Sequence, residues 1–133
     1  VRSMVAEEEK IKLFDVNTYR KLMSDLNKKK LKFLNKIITL KSKGFKIVGI
    51  GAAAKANTFL NFIGLNYSLI DYITDASVYK IGKYTPLTRI PIYPDNKIKK
   101  EKKIYAIPLA WNIGNMLKKK LTKINKNLRF IYF

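Results

Sequence analysis

The spacing of apolar positions changes character several times along this chain. Between residues 16 and 43, Tyr19, Leu22, Leu26, Phe33, Ile37 and Leu40 recur at intervals of three, four and seven, which predicts one long amphipathic helix with a single apolar stripe. Asp15 stands at the N-cap position and Gly44 just past the C-terminus. Lys28, Lys29 and Lys30 interrupt the stripe, which is expected to pack on a sheet. Ahead of it, residues 1–12 with Glu7, Glu8 and Glu9 read as a short acidic helical lead-in. Residues 45–50 form a short apolar run broken only by Lys46, the mark of a buried parallel strand. Residues 55–63 return to a helical period through Phe59, Leu60, Phe62 and Ile63 and stop at Gly64. Residues 69–74 read as a second strand closed by Asp75, and residues 76–88, with Gly82 and Pro86, as a loop. A brief extended piece at 89–93, a buried strand at 104–109, a helix at 111–125 and a last strand at 128–133 complete the order. The lysine-rich segment 97–103 is expected to be a solvated loop.

Strands and helices thus alternate after the first helix, the signature of an α/β sheet of parallel strands. Its most informative point is the junction of the first strand and the next helix. Gly49-Ile50-Gly51-Ala52-Ala53-Ala54 fits G-x-G-x-x-G/A in the required strand-to-helix context. The first glycine permits a tight turn, the second lets backbone N–H groups approach a phosphate, and the small third residue brings helix and strand close. N–H groups at the helix start favour an anion, and Lys55 adds a point charge. Asp75 closes the next strand 24 residues after Gly51, where an acidic residue commonly meets a ribose hydroxyl. The expectation is a Rossmann-like parallel sheet with helices on both faces, preceded by the long helix. Residues 1–133 form one domain in this reading, 1–44 as helical lead-in and 45–133 as α/β core. The same small residues also suit close packing alone, so the motif by itself leaves a ligand role open.

Composition narrows the chemistry. The 133 residues contain neither cysteine nor histidine. That removes disulfides, zinc sites of Cys/His type and Cys or His nucleophile–base pairs. A reducing, cytoplasmic setting is the expectation. No apolar run approaches the ~20 residues of a membrane span. The chain opens Val1-Arg2-Ser3-Met4, and an upstream part is expected. A net charge of +19 suggests a polyanion partner, but its distribution weakens that idea. Residues 1–45 carry 12 basic and 5 acidic groups, residues 46–95 carry 5 and 3, and residues 96–133 carry 11 and 1. The motif-bearing middle is nearly balanced, and most aromatic residues fall in core-like runs rather than among the lysines. Lysines on solvated faces are preferred here to a nucleic-acid surface.

Two more segments face the same strand ends. Residues 80–92 combine Lys80, Gly82, Lys83, Tyr84, Pro86 and Arg89 in a loop leading into a strand. Trp111 and Asn112 lie between a strand and a helix; Asn112 suits a helix cap and Trp111 the core, or both could contact a ligand. Together these motifs resemble the C-terminal domain of SAM-dependent sugar C-methyltransferases, which add methyl branches to nucleotide-linked deoxysugars. The matching residues are the stretch 49–61, read as a G-x-G-A-x-A-K-G-N-T-L-L-N pattern, then Asp75, the block 80–92 and the pair Trp111-Asn112, in order over nearly the whole chain. Ala56 departs from a glycine of the pattern, Ala76-Ser77-Val78 from Arg-Asn-Pro, and Leu87 from another glycine.

The resemblance implies a division of labour. A separate upstream domain binds S-adenosylmethionine and carries the deprotonating residues, and a zinc-binding segment lies at the N-terminus. The C-terminal domain binds no cofactor of its own and helps to form the nucleotide-sugar cleft. Site residues carried over are Gly49, Gly51, Ala52, Ala54, Lys55, Asn57, Thr58, Asn61, Asp75, Lys80, Tyr84, Trp111 and Asn112. Two other classes stay open: a stand-alone nucleotide-binding module of NAD or coenzyme A type, and a basic nucleic-acid-binding protein.

Overall fold

The computed structural model describes all of residues 1–133, which fall into two compact units, Val1–Phe33 and Leu34–Phe133. The first holds α1 (Arg2–Lys10), which buries no residue, and the N-terminal part of α2 (Val16–Ser42). Asp15 starts α2 as expected, its carboxylate accepting the Asn17 N–H at 2.9 Å. The apolar stripe does not behave uniformly. Tyr19, Leu22 and Met23 are exposed, whereas Ile37, in the second unit, is fully buried. The 27 residues of α2 make a helix about 40 Å long.

The second unit is a five-stranded, all-parallel sheet in the order β3-β2-β1-β4-β5. Its strands are β1 (Lys46–Ile50), β2 (Tyr72–Asp75), β3 (Ile92–Pro94), β4 (Ile104–Pro108) and β5 (Arg129–Phe130). The sheet is flanked by helices, α3 (Ala54–Ile63) linking β1 to β2 and α4 (Gly114–Ile124) linking β4 to β5. β1 is central and buried over Ile47, Val48 and Ile50, which explains its lack of polar alternation. Chain order runs outward from β1 on one side and from β4 on the other, so the topological switch falls between these two strands. Open α/β sheets bind ligands at the carboxyl ends beside such a switch.

Two details depart from the sequence reading. The segment expected as a solvated loop contains a 3₁₀ turn, Asp95–Lys100, that drives Ile98 into a core cluster with Val48, Ile50, Tyr72, Ile104, Ala106, Leu121 and Leu128. Burying that one side chain is worth roughly 1.5–3 kcal/mol, enough to organise a turn whose lysines stay outside. Asn125 secures it from behind, donating to the carbonyls of Ile98 at 2.7 Å and Glu101 at 2.8 Å. The strands are also shorter than expected. β3 has three residues and β5 two, and residues 82–85 fold back along β3, with the Ile92 N–H donating to the Lys83 carbonyl.

Candidate functional site at the switch point

The turn after β1 is shaped first by packing. A Cβ on Gly49 would stand 2.5 Å from Leu109 Cδ1 and 2.8 Å from Ile73 Cγ1, so the neighbouring strands' side chains fill that space. Gly51 has φ +82°, and a Cβ there would meet Ala110 Cβ at 2.8 Å. Hydrogen bonds then pin the turn to β2. The Gly51 N–H donates to the Thr74 carbonyl at 2.8 Å, and the Ala52 N–H donates to Asp75 Oδ2 at 2.6 Å. The other Asp75 oxygen accepts the Ser77 N–H at 2.8 Å. The cap residue of α3, Ala53, offers no side-chain acceptor, and the first turn has no acidic residue. The Asp75 carboxylate therefore supplies negative charge beside the positive end of α3, and the fold brings it there from 23 residues away.

Lys55 spans the switch. Its Nζ donates to Asn112 Oδ1 at 2.6 Å and lies 4.6 Å from the centroid of the Trp111 indole. This joins the turn after β1 to the turn after β4. Asn112 is used here as an acceptor for a lysine rather than as a helix cap, and Trp111 is 55% exposed rather than part of the core. Lys80 approaches Asp75 from the loop after β2, Nζ to Oδ2 3.6 Å.

Three cavities open along this region. A crevice of about 420 Å³ at the switch includes Gly51, Lys55, Thr74, Asp75, Lys80 and Asn112 in its walls. On the other side of the glycine turn, a cavity of about 260 Å³ includes Ala52, Ala54, Asn57, Lys80 and Tyr84. An apolar cleft of about 670 Å³ runs from Asn112 and Trp111 past Phe59 to Met116 and Phe133. Three of the expected residues line none of them: Gly49 is interior to β1, while Thr58 and Asn61 are exposed on α3. The Asn61 amide donates to the Asn57 carbonyl within that helix at 2.8 Å.

Sequence reasoning missed two features of the crevice. Thr74, one of the residues around the crevice, is fully buried, and its hydroxyl has no hydrogen-bond partner. The available signal was a polar residue inside an otherwise apolar strand run. Asp95 and Lys120, paired at 2.6 Å, also line the crevice but are far apart in sequence and carry no motif. No group of three or more Asp or Glu residues is placed to hold a metal ion. The crevice offers carboxylate, amide and ammonium groups at the carboxyl edge of the sheet, a set suited to a polar molecule.

All 133 residues match the family of C-methyltransferase C-terminal domains. The chain belongs to that family. As a C-methyltransferase C-terminal domain it is also similar to the C-methyltransferase NovU of Streptomyces niveus, at 29% identity over 112 residues. The match covers 84% of the present chain and 27% of that relative, so the chain spans little more than a quarter of the relative's length. No helix of this C-methyltransferase domain is long and apolar enough to cross a membrane.

Proposed function

We propose that this domain holds the nucleotide-sugar substrate of an S-adenosylmethionine-dependent sugar C-methyltransferase. In this reading the methyl donor and the proton-removing base belong to an upstream domain of the enzyme. The present domain contributes position: it fixes the sugar so that its reacting carbon meets those groups in a productive geometry, which lowers the entropic part of the barrier. One observation carries the proposal. Lys55 at the start of α3, Asp75 at the end of β2, Lys80 in the loop after it and Asn112 in the turn after β4 converge on one crevice at the carboxyl edge of the sheet. A dinucleotide module would place a pyrophosphate on the glycine turn, where the Asp75 carboxylate already accepts the Ala52 N–H. That favours the substrate-holding role over an NAD or coenzyme A site.

The test is steady-state kinetics of the intact enzyme carrying Lys55→Ala or Tyr84→Phe. The expected result is a higher KM for the nucleotide-sugar, or a lower kcat, with KM for S-adenosylmethionine unchanged. Unaltered sugar kinetics in both variants would overturn the site assignment.

A further inference from the structure

We infer that the amino edge of the sheet carries a second binding site, for an oligophosphate anion, apart from the crevice at the carboxyl edge. The inference goes beyond the proposed function and does not rest on it. A cavity of about 360 Å³ opens where β1, β4 and β5 begin, lined by Phe45, Lys102, Lys103, Lys126, Asn127 and Arg129. Four cations thus share one cavity whose lining includes no carboxylate. β1 and β4 are five residues long, so this edge lies roughly 15 Å from the switch crevice. The two edges treat their cations differently. At the crevice Lys80 is paired with Asp75, Lys120 with Asp95 and Lys55 with the Asn112 amide. At the amino edge none of the four forms an ion pair, and Glu101, beside Lys102 in the chain, is taken up by Lys46 at 2.6 Å.

The frame under these cations is built. Buried Asn125 donates to the Ile98 and Glu101 carbonyls and accepts the Asn127 N–H at 2.8 Å, which ties the segment before β4 to the one before β5. The Lys46 N–H donates to the Lys103 carbonyl at 2.9 Å and joins the start of β1 to the same frame. Two rings seat the charges. Phe45 and Tyr105 pack edge to face at 5.1 Å, with Lys103 Nζ 5.9 Å from the Phe45 centroid and the Arg129 guanidinium 5.9 Å from that of Tyr105. Like charges held round one cavity repel, and a multivalent anion removes that repulsion. Arginine fits phosphate oxygens with a planar fork, lysines add point charges, and the Asn127 amide is a further donor. The cavity is at the small end of ligand sites. That suits a compact chain of phosphates better than a nucleic-acid strand, which needs a groove following its backbone.

The experiment is an amide-resolved NMR titration of the chain with inorganic tripolyphosphate, to millimolar concentration at physiological salt. Two double variants are compared: Lys126→Gln with Arg129→Gln at the cavity, and Lys29→Gln with Lys32→Gln on α2, which removes the same charge elsewhere. All four side chains are exposed, so both variants are expected to keep the wild-type spectrum away from the substitutions. In the wild-type chain the shifts are expected at the amides of Lys102, Lys103 and Lys126 to Arg129. Affinity is expected to fall about tenfold or more in the cavity variant, the order of one charged hydrogen bond lost, and to hold within about twofold in the α2 variant. Equal losses in the two variants, or shifts spread over the lysines of α2, reduce the effect to net charge and overturn the inference. No binding by the wild-type chain also overturns it. So does tighter binding of a single-stranded oligothymidylate at the same amides, which assigns the surface to nucleic acid. Each of these outcomes leaves the substrate-holding reading of the carboxyl edge intact, because no residue of the crevice takes part.

Discussion

The carboxylate of Asp75 and the backbone N–H of Ala52 are joined at 2.6 Å, tying the end of β2 to the start of α3. With the Ser77 N–H on its second oxygen, Asp75 holds two loops in register. Asp75→Ala is expected to cost roughly 1.5–3 kcal/mol, the range for hydrogen bonds to a charged, mostly buried acceptor. Asp75→Asn, which retains one acceptor oxygen, should fall between the two. Urea denaturation checks this: the midpoint should drop with the m-value unchanged.

Leu87 sits at φ +62°, a left-handed conformation costly for a side chain that is not glycine. The residue is 86% exposed, so burial offers nothing in return. Around it, Thr85 and Thr88 share a 2.6 Å hydroxyl contact and the Ile90 N–H donates to Thr85 Oγ1 at 2.9 Å, fixing the loop in this shape. Leu87→Gly is expected to stabilise the chain by about 0.5–1 kcal/mol, after allowing for glycine's greater freedom in the unfolded state. Leu87→Ala should give none of that gain. Thermal melts of the pair separate backbone strain from loss of side-chain contacts.

Gly49 and Gly51 are expected to respond differently to alanine. At Gly49 the obstruction is two flexible side-chain ends, Leu109 Cδ1 and Ile73 Cγ1, and overpacking of this kind costs about 1–3 kcal/mol. At Gly51 the added methyl meets Ala110 Cβ and the φ of +82° also opposes it, so the loss should be larger. Denaturation midpoints in the order wild type, Gly49→Ala, Gly51→Ala check the ranking. The reverse order would contradict the packing argument.

Tyr72 carries an alkaline pH dependence. Its hydroxyl is buried without a partner, and burial, helped by the carboxylates of Glu101 and Asp71, holds its pKa well above the ordinary value of 10.0. Below pH 10 both folded and unfolded chains keep the phenolic proton, and this group contributes no slope. Above pH 10 the unfolded chain loses the proton while the folded chain keeps it. Stability then falls with rising pH by up to about 1.4 kcal/mol per pH unit, until the folded pKa is passed. Tyr72→Phe should be neutral or stabilising by up to about 1 kcal/mol at pH 7 and should lack this slope. Parallel denaturation of the two proteins from pH 8 to pH 11 measures the difference.

How much of this could be read from residues alone follows from the range of the forces involved. The β1–turn–α3 unit was legible because its signals are local: an apolar run, two glycines and a helical period within 18 residues. The parallel sheet followed from the alternation of such units. The stripe of α2 made the helix legible but not the exposure of Tyr19 and Leu22, because periodicity reports which residues share a face, not whether that face is covered. Ile98 was hidden among lysines, since one apolar residue makes no period. At the site, Lys55, Asp75 and Asn112 were legible as candidates through family motifs. The bonds Asp75 to Ala52 and Lys55 to Asn112 were not, because they join residues 23 and 57 positions apart. Thr74 shows the same limit, since its unpartnered hydroxyl exists only once the strands around it are in place.

The shortness of β3 and β5 has a consequence for life in a crowded solution. An exposed strand edge acts as a template on which another chain can add, and long flat edges lead to fibres. Here one edge is two residues long. The other, Ile92–Pro94, ends in a residue with no N–H and has its outer side occupied by the folded-back segment 82–85. The sheet thereby offers little free edge for growth by strand addition. Association of this domain with another protein surface then falls mainly to side chains on its helices and loop tips, where a point substitution can tune it without exposing the sheet to polymerisation.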